Sequence, residues 1–67
     1  MTFDDIPRSK IEFLIEEWIR KERDRAILKR RLLDGITYER LAEEFDLSPT
    51  QIKNIVYKAG DKIYKHI

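Results

Sequence analysis

The side chains that could carry out catalysis in this chain are few, and they do not form the groupings that catalysis requires. The single histidine, His66, has no fixed carboxylate or nucleophile near it in sequence, and the chain has no cysteine and no glycine-rich phosphate-binding loop. We therefore expect no enzyme activity, no cofactor and no metal site. Carboxylates do occur as adjacent pairs, but helical neighbours point about 100° apart and cannot share a site; these pairs are Asp4 with Asp5, Glu16 with Glu17, and Glu43 with Glu44.

A second group of polar residues, near the C-terminus, is suited to binding a nucleic acid. Four lysines can neutralise phosphates and release counterions: Lys53, Lys58, Lys62 and Lys65. Thr50, Asn54 and Tyr57 offer groups that suit base edges or sugars. Asn54 is the best base-reading candidate, because its amide can pair bidentately with adenine in the major groove. Lysines on a helix more often belong to an ordinary solvated face, so the surrounding elements must decide between the two interpretations.

The formal net charge of +1 conceals strong local differences. Residues 48–67 carry four basic side chains and one acidic one, and residues 22–33 carry five and two. Residues 34–47, between them, carry one basic and five acidic side chains. Two basic segments therefore flank an acidic one, and the balanced total does not argue against a nucleic-acid partner.

Length and composition limit the class of protein. A chain of 67 residues is expected to form one domain, here residues 1–67, with a small core. No apolar run approaches the ~20 residues of a membrane span, and the acidic first residues do not resemble a signal peptide. We expect a cytoplasmic protein without a membrane partner.

Helical spacing predicts the first helix at 9–20, after an N-terminal arm at 1–8. Ser9 and Glu12 have the spacing of a capping box. Phe13 lies off the apolar stripe, so it either packs at the edge of the core, the interpretation we favour, or awaits a partner. The stripe itself consists of Ile11, Leu14, Ile15, Trp18 and Ile19.

Six consecutive charged residues, 20–25, interrupt the apolar pattern after this helix. We expect a joint near Lys21 and a second helix at 22–34, and one long bent helix is the alternative. Gly35 ends the second helix, because glycine adopts the left-handed conformation without a steric penalty.

The second half of the chain contains two helix starts close together. Thr37 is a suitable N-cap for a short helix at 37–46. Ser48, Pro49 and Gln51 give the strongest start signal, since they combine a capping box with proline at the first helical position. A fourth helix at 48–66 follows, and its buried face is Ile52, Ile55, Val56, Ala59 and Ile63.

This arrangement predicts an all-α fold, a compact bundle of about four helices that contains a helix-turn-helix. Asp46 and Leu47 form the turn, and Asp46 tolerates the left-handed conformation there. Ala42 is small enough for the two helices to approach closely. Gly60 interrupts the last helix at a cost of roughly 1 kcal/mol relative to alanine, so a bend or fraying is expected there.

The stretch 22–62 resembles region four of bacterial sigma factors, the part that reads the upstream promoter element. Four groups of residues match in order and spacing: 22–28, 33–38, 41–48, and a last group of Ile52, Lys53, Asn54, Ile55, Lys58, Ala59 and Lys62. The resemblance implies sequence-specific binding of double-stranded DNA in transcription regulation, with the fourth helix in the major groove. The length suggests a free-standing domain of the phage or mobile-element type, without the other sigma regions.

The start of each later helix supplies further candidate DNA contacts. Thr37, Tyr38 and Arg40 can meet a phosphate at the start of the third helix, although cap and surface roles are equal alternatives. Ser48 and Gln51 complete the candidate set at the start of the fourth. The basic side chains of the second helix either flank DNA or form surface salt bridges; these are Arg23, Arg25, Lys29, Arg30 and Arg31.

A protein-interaction module is the main alternative to a DNA-binding domain. Sigma regions of this kind also dock on RNA polymerase, so a small mimic would bind polymerase or another regulator without binding DNA. Phe3, Phe13 and the first-helix stripe would then be the contact surface. The same stripe would suit a homodimer, since one helix-turn-helix makes few contacts and pairing doubles the half-sites.

Overall fold

A computed structural model describes residues 6–66 and forms four helices in this range. No strand occurs between residues 6 and 66, so the expected all-α fold of about four helices is confirmed. Phe3 and most of the expected N-terminal arm lie outside the described residues. The helices are α1 Arg8–Trp18, α2 Glu22–Leu32, α3 Tyr38–Phe45 and α4 Pro49–Tyr64.

One apolar core joins all four helices. The Cα radius of gyration is 11.2 Å, close to the roughly 11 Å of a compact domain of this length. No polar side chain is fully buried in residues 6–66, so the core depends on apolar packing alone. Its buried members are Ile11, Leu14, Ile15, Ile19, Ile27, Leu28, Leu41, Ala42, Ile52, Val56, Ala59 and Ile63.

Helices α1 and α2 run antiparallel and are separate, which confirms the predicted joint near Lys21. Arg8, at the start of α1, donates from Nη1 to the Leu33 carbonyl oxygen (3.1 Å) and pairs with Asp34 (3.6 Å), beyond the end of α2. Near the joint, Glu16 of α1 pairs with Lys29 of α2. The long bent helix is therefore wrong.

The predicted capping box at Ser9 does not form. Helix α1 begins at Arg8, after Pro7, and its N-cap makes no side-chain hydrogen bond. The Pro7 carbonyl oxygen accepts hydrogen bonds from the backbone N–H groups of Lys10 (3.0 Å) and Ile11 (3.2 Å), so the helix starts before Ser9. It ends two residues earlier than expected because Ile19 is extended, with φ −107°.

Two aromatic side chains of α1 lie outside the core. Phe13 is 63% exposed, so the interpretation that packed it at the edge of the core is wrong: no element within residues 6–66 covers its side of α1. Trp18 is 43% exposed, although it belongs to the predicted stripe. Its ring stacks on His66 instead, with centroids 3.6 Å apart and planes within 3°.

The ends of α2 and α3 use the left-handed residues that the sequence predicts. Gly35 has φ 68° and follows α2, which ends at Leu32 rather than at 34. Asp46 has φ 55° at the end of α3, and the N–H of Leu47 donates to the Ala42 carbonyl oxygen (2.9 Å). This bond closes the turn between α3 and α4 in the manner of a Schellman motif.

Helix α4 crosses the core and runs through Gly60 to Tyr64 without interruption, so the helix does not fray at Gly60. Four of its five predicted core residues are buried, and Ile55 is half-buried. Its polar face is therefore held outward by the packing of its apolar face.

Candidate nucleic-acid interface

The start of α4 is fixed by a complete capping box, as the sequence predicts. The Gln51 N–H donates to Ser48 Oγ (3.1 Å), and the Ser48 N–H donates to Gln51 Oε1 (2.9 Å). Pro49 occupies the first helical position, where its missing N–H costs nothing. Both capping side chains thus hold the helix start, which leaves them less free to contact a ligand.

The remaining candidate residues of α4 lie together on its exposed face. Thr50, Lys53, Asn54, Tyr57 and Lys58 are all exposed, opposite the buried side of the helix. The ammonium nitrogen of Lys53 lies 5.8 Å from the centroid of the Tyr57 ring. This face presents the Asn54 amide and the Tyr57 phenol between two cations, with the Thr50 hydroxyl one turn before them.

The start of α3 offers fewer side chains for DNA contact than the sequence predicts. Thr37 Oγ1 accepts a hydrogen bond from the Arg40 N–H (3.2 Å), so it caps the helix. The Tyr38 ring is half-buried, and the Arg31 guanidinium carbon lies 4.2 Å from its centroid. Arg40 is exposed, and its charge helps to lower the pKa of Glu44. Of these three side chains, only Arg40 is available to a ligand.

Four basic residues of α2 connect elements of the bundle. Arg25 and Lys29 pair with Glu16, and Arg30 pairs with Glu44 of α3. Arg31 Nη1 donates to the Ile36 carbonyl oxygen (3.0 Å). The salt-bridge alternative therefore describes Arg25, Lys29 and Arg30 better than contact with DNA does.

Two carboxylates of these ion pairs titrate below their ordinary range. A hydrogen bond and the charge of Lys29 lower the pKa of Glu16. The hydrogen bond from Arg30 lowers the pKa of Glu44 in the same way. Both carboxylates therefore remain ionised at neutral pH, and their negative charges compensate the positive charges of their basic partners.

A surface groove of about 950 Å³ joins the exposed face of α4 to the α1–α2 joint. Asn54 and Tyr57 line it on the α4 side, and Arg20 and Lys21 line it at the joint. Sequence reasoning did not select Arg20 or Lys21. The run of charged residues at the joint was the available signal, but only the folded chain brings it beside α4.

Two other kinds of site are not found in the described part of the chain. No cluster of three or more histidine, aspartate or glutamate side chains within residues 6–66 could hold a metal ion. None of the four helices has both the length and the apolarity needed to cross a membrane.

Comparisons with protein-family models, curated proteins and solved structures found no match for this chain. The fold is a small all-α domain in which the short helix α3 and the longer helix α4 are joined by a tight turn. The resemblance to sigma region four stays a prediction.

Proposed function

We propose that this protein binds double-stranded DNA, with the first turns of α4 in the major groove. The observation that carries the proposal is the exposed face of Thr50, Lys53, Asn54, Tyr57 and Lys58 on a helix whose opposite face is buried. Helix α4 has 16 residues and is therefore about 24 Å long. The major groove of DNA is about 12 Å wide, which is enough to admit one helix.

The charge of the neighbouring elements favours α4 over α3 as the inserted helix. Glu39 and Glu43 are exposed on α3, and phosphates would repel them if α3 lay flat on the DNA. The exposed lysines of α4 would attract the same phosphates. Helix α3 therefore supports α4 from behind, as the first helix of a helix-turn-helix does.

The biological setting that we propose is transcription regulation. It follows from the resemblance of residues 22–62 to sigma region four, in which a helix-turn-helix reads a promoter element. Duplex DNA is then the main partner, and no chemistry on the DNA is required. The regulated sequence would be found by selecting bound duplexes from a random pool.

A titration of labelled duplex at low salt tests the proposal. We expect the wild-type protein to bind, and the double variant Lys53→Glu, Lys58→Glu to lose most of its affinity, because two attractive charges become repulsive. The control is Lys10→Glu, which reverses an exposed charge on α1. Equal binding by the wild-type protein and the double variant would refute the proposal.

A second candidate function, docking on RNA polymerase, is favoured by the exposed Phe13. A phenyl ring that is 63% exposed on a helix is a suitable anchor for a protein partner. A pulldown of core polymerase with the wild-type protein and with Phe13→Ala tests this function, since the substitution leaves the core intact. Retention of polymerase by the wild-type protein alone would support it.

A homodimer or a docking site on the predicted first-helix stripe is ruled out, because Ile11, Leu14, Ile15 and Ile19 are buried in the core. A homodimer would use the exposed Phe13 instead. Sedimentation at several protein concentrations separates the two arrangements. A mass that rises with concentration, and that Phe13→Ala holds at the monomer value, identifies the dimer. It also indicates that the DNA site contains two half-sites.

A further inference from the structure

We propose that the groove between the α1–α2 joint and the C-terminal half of α4 is a second DNA-binding surface, which holds backbone phosphates next to the bases that α4 reads. The inference rests on the proposed function and extends it. It assigns a role to Arg20 and Lys21, which lie outside α4, and places them in one groove with Lys62.

The groove has a strong excess of positive charge. The joint contributes Arg20, Lys21 and Arg23, and α4 contributes Lys58, Lys62 and Lys65. The acidic residues of the lining are Asp24 and Asp61. Each of these two carboxylates already has a basic partner in the groove: Arg23 Nε lies 3.3 Å from Asp24, and Lys65 Nζ lies 3.3 Å from Asp61.

Four cations of the groove remain without a partner in the described part of the chain. Arg20, Lys21, Lys58 and Lys62 are exposed and make no ion pair with residues 6–66. In contrast, Lys29 and Arg30 on the other side of α2 are paired with carboxylates. Like charges that share a groove repel one another, and a polyanion would remove this repulsion.

The groove lies where a DNA strand would continue beyond the exposed face of α4. Asn54 and Tyr57 line the same groove as the joint cations, so the two surfaces are continuous. From Lys58 to Lys65 the helix rises about 10 Å. Successive phosphates of one strand are spaced 3.4 Å apart along the duplex axis, so the lysines of this stretch can reach more than one of them.

The wall of the groove at the joint is held by specific contacts. Arg25 Nε donates to the Ile19 carbonyl oxygen, which fixes the chain where it leaves α1. The stack of Trp18 on His66 ties the end of α1 to the end of α4. The two basic walls are therefore held together before any ligand arrives, which lowers the entropic cost of binding.

The chemistry of the lining favours nucleic acid over an acidic protein segment. Lysine is depleted in protein–protein interfaces, where aromatic and apolar anchors supply most of the affinity. Here four of the six cations are lysines. Compact ammonium groups on flexible stems are suited to phosphates, which they contact as point charges.

The test measures how the affinity for duplex DNA depends on salt. Each phosphate contact contributes about 0.9 to the slope of log K against log salt. We expect the slope of Lys21→Gln to be shallower than that of the wild-type protein by about 0.9, and that of Arg20→Gln, Lys21→Gln by about 1.8. Preference among duplex sequences should not change, because phosphates carry no sequence information.

The matched control is Lys10→Gln, which removes one exposed charge from α1 outside the groove. It should keep the slope of the wild-type protein, and circular dichroism verifies that every variant is folded. If the wild-type protein binds duplex DNA but the joint variants keep its slope, the groove proposal is overturned while the proposed function stands. If the wild-type protein does not bind, the proposed function itself fails.

Discussion

Asn54 and Lys58 lie one helical turn apart on the exposed face of α4. Because their chemistry differs, we expect substitutions at these two positions to change DNA binding in different ways. Asn54→Ala removes an amide that can read a base, so discrimination against other sequences should fall by about 1–3 kcal/mol. Lys58→Ala removes a phosphate contact and should weaken all sequences similarly. Titrations on a selected duplex and on a scrambled one measure both effects. The same pattern of loss for the two variants would contradict these roles.

Alanine substitutions at the two glycines are expected to have opposite effects on the free energy of unfolding. Gly60 lies inside α4, and beyond its chain neighbours and the helix backbone an added Cβ would have no heavy atom within 4 Å. Gly60→Ala should therefore raise the free energy of unfolding by roughly 1 kcal/mol. Gly35 has φ 68°, and Gly35→Ala should lower the free energy of unfolding by about 1–2 kcal/mol because of left-handed strain. Urea unfolding of both variants tests the signs.

At the scale of residues, the sequence predicts local roles well and exposure less well. Ser48 and Asp46 adopt their predicted conformations, because caps and left-handed residues depend on a few neighbours. The packing of Phe13 was predicted wrongly, because it depends on which elements cover that side of α1. The burial of Trp18 was predicted wrongly for a similar reason, because its stacking partner His66 lies at the far end of the chain.

At the scale of elements, the two predicted capping boxes make a matched pair. Ser48 caps α4, so Ser48→Ala should lower the free energy of unfolding by about 1 kcal/mol. Ser9 makes no capping bond, and Ser9→Ala should leave the free energy of unfolding within about 0.5 kcal/mol of wild type. Thermal or urea unfolding compares them. A larger loss for Ser9→Ala would contradict the observed start of α1.

The ion pairs between helices predict how stability depends on pH. The pKa of Glu44 is lowered from its ordinary value of 4.5 by Arg30. The folded protein therefore binds protons less readily than the unfolded chain, so the pair stabilises the fold above about pH 4.5 and is lost on acidification. Urea midpoints should fall as the pH drops below this value. Glu44→Gln should flatten the fall, and a wild-type slope in this variant would contradict the prediction.

Helix ends were predicted within about two residues, and the misses have physical causes. Helix α1 starts early because the Pro7 carbonyl oxygen accepts the first bonds, which competes with a cap at Ser9. Helix α4 passes Gly60 because the core residues on both sides, Ala59 and Ile63, hold the helix together. Packing here outweighs the low helix propensity of glycine.

At the scale of the whole molecule, the fold class follows from periodicity, but the basic groove does not. The apolar spacing of each helix indicates which face is buried. The approach of Lys21 to Lys58 depends on how α1, α2 and α4 pack, and no local pattern records this arrangement. A net charge near zero also conceals the groove, because Glu39 and Glu43 of α3 offset its cations in the total.

DNA binding by α4 is tested most directly by amide chemical-shift mapping of the isotope-labelled protein during titration with duplex DNA. DNA binding by α4 predicts the largest shifts at Thr50, Lys53, Asn54, Tyr57 and Lys58, with smaller shifts at Arg20 and Lys21. The amides of α1 around Phe13 should change little. Shifts centred on α1, or no shifts at low salt, would contradict the account.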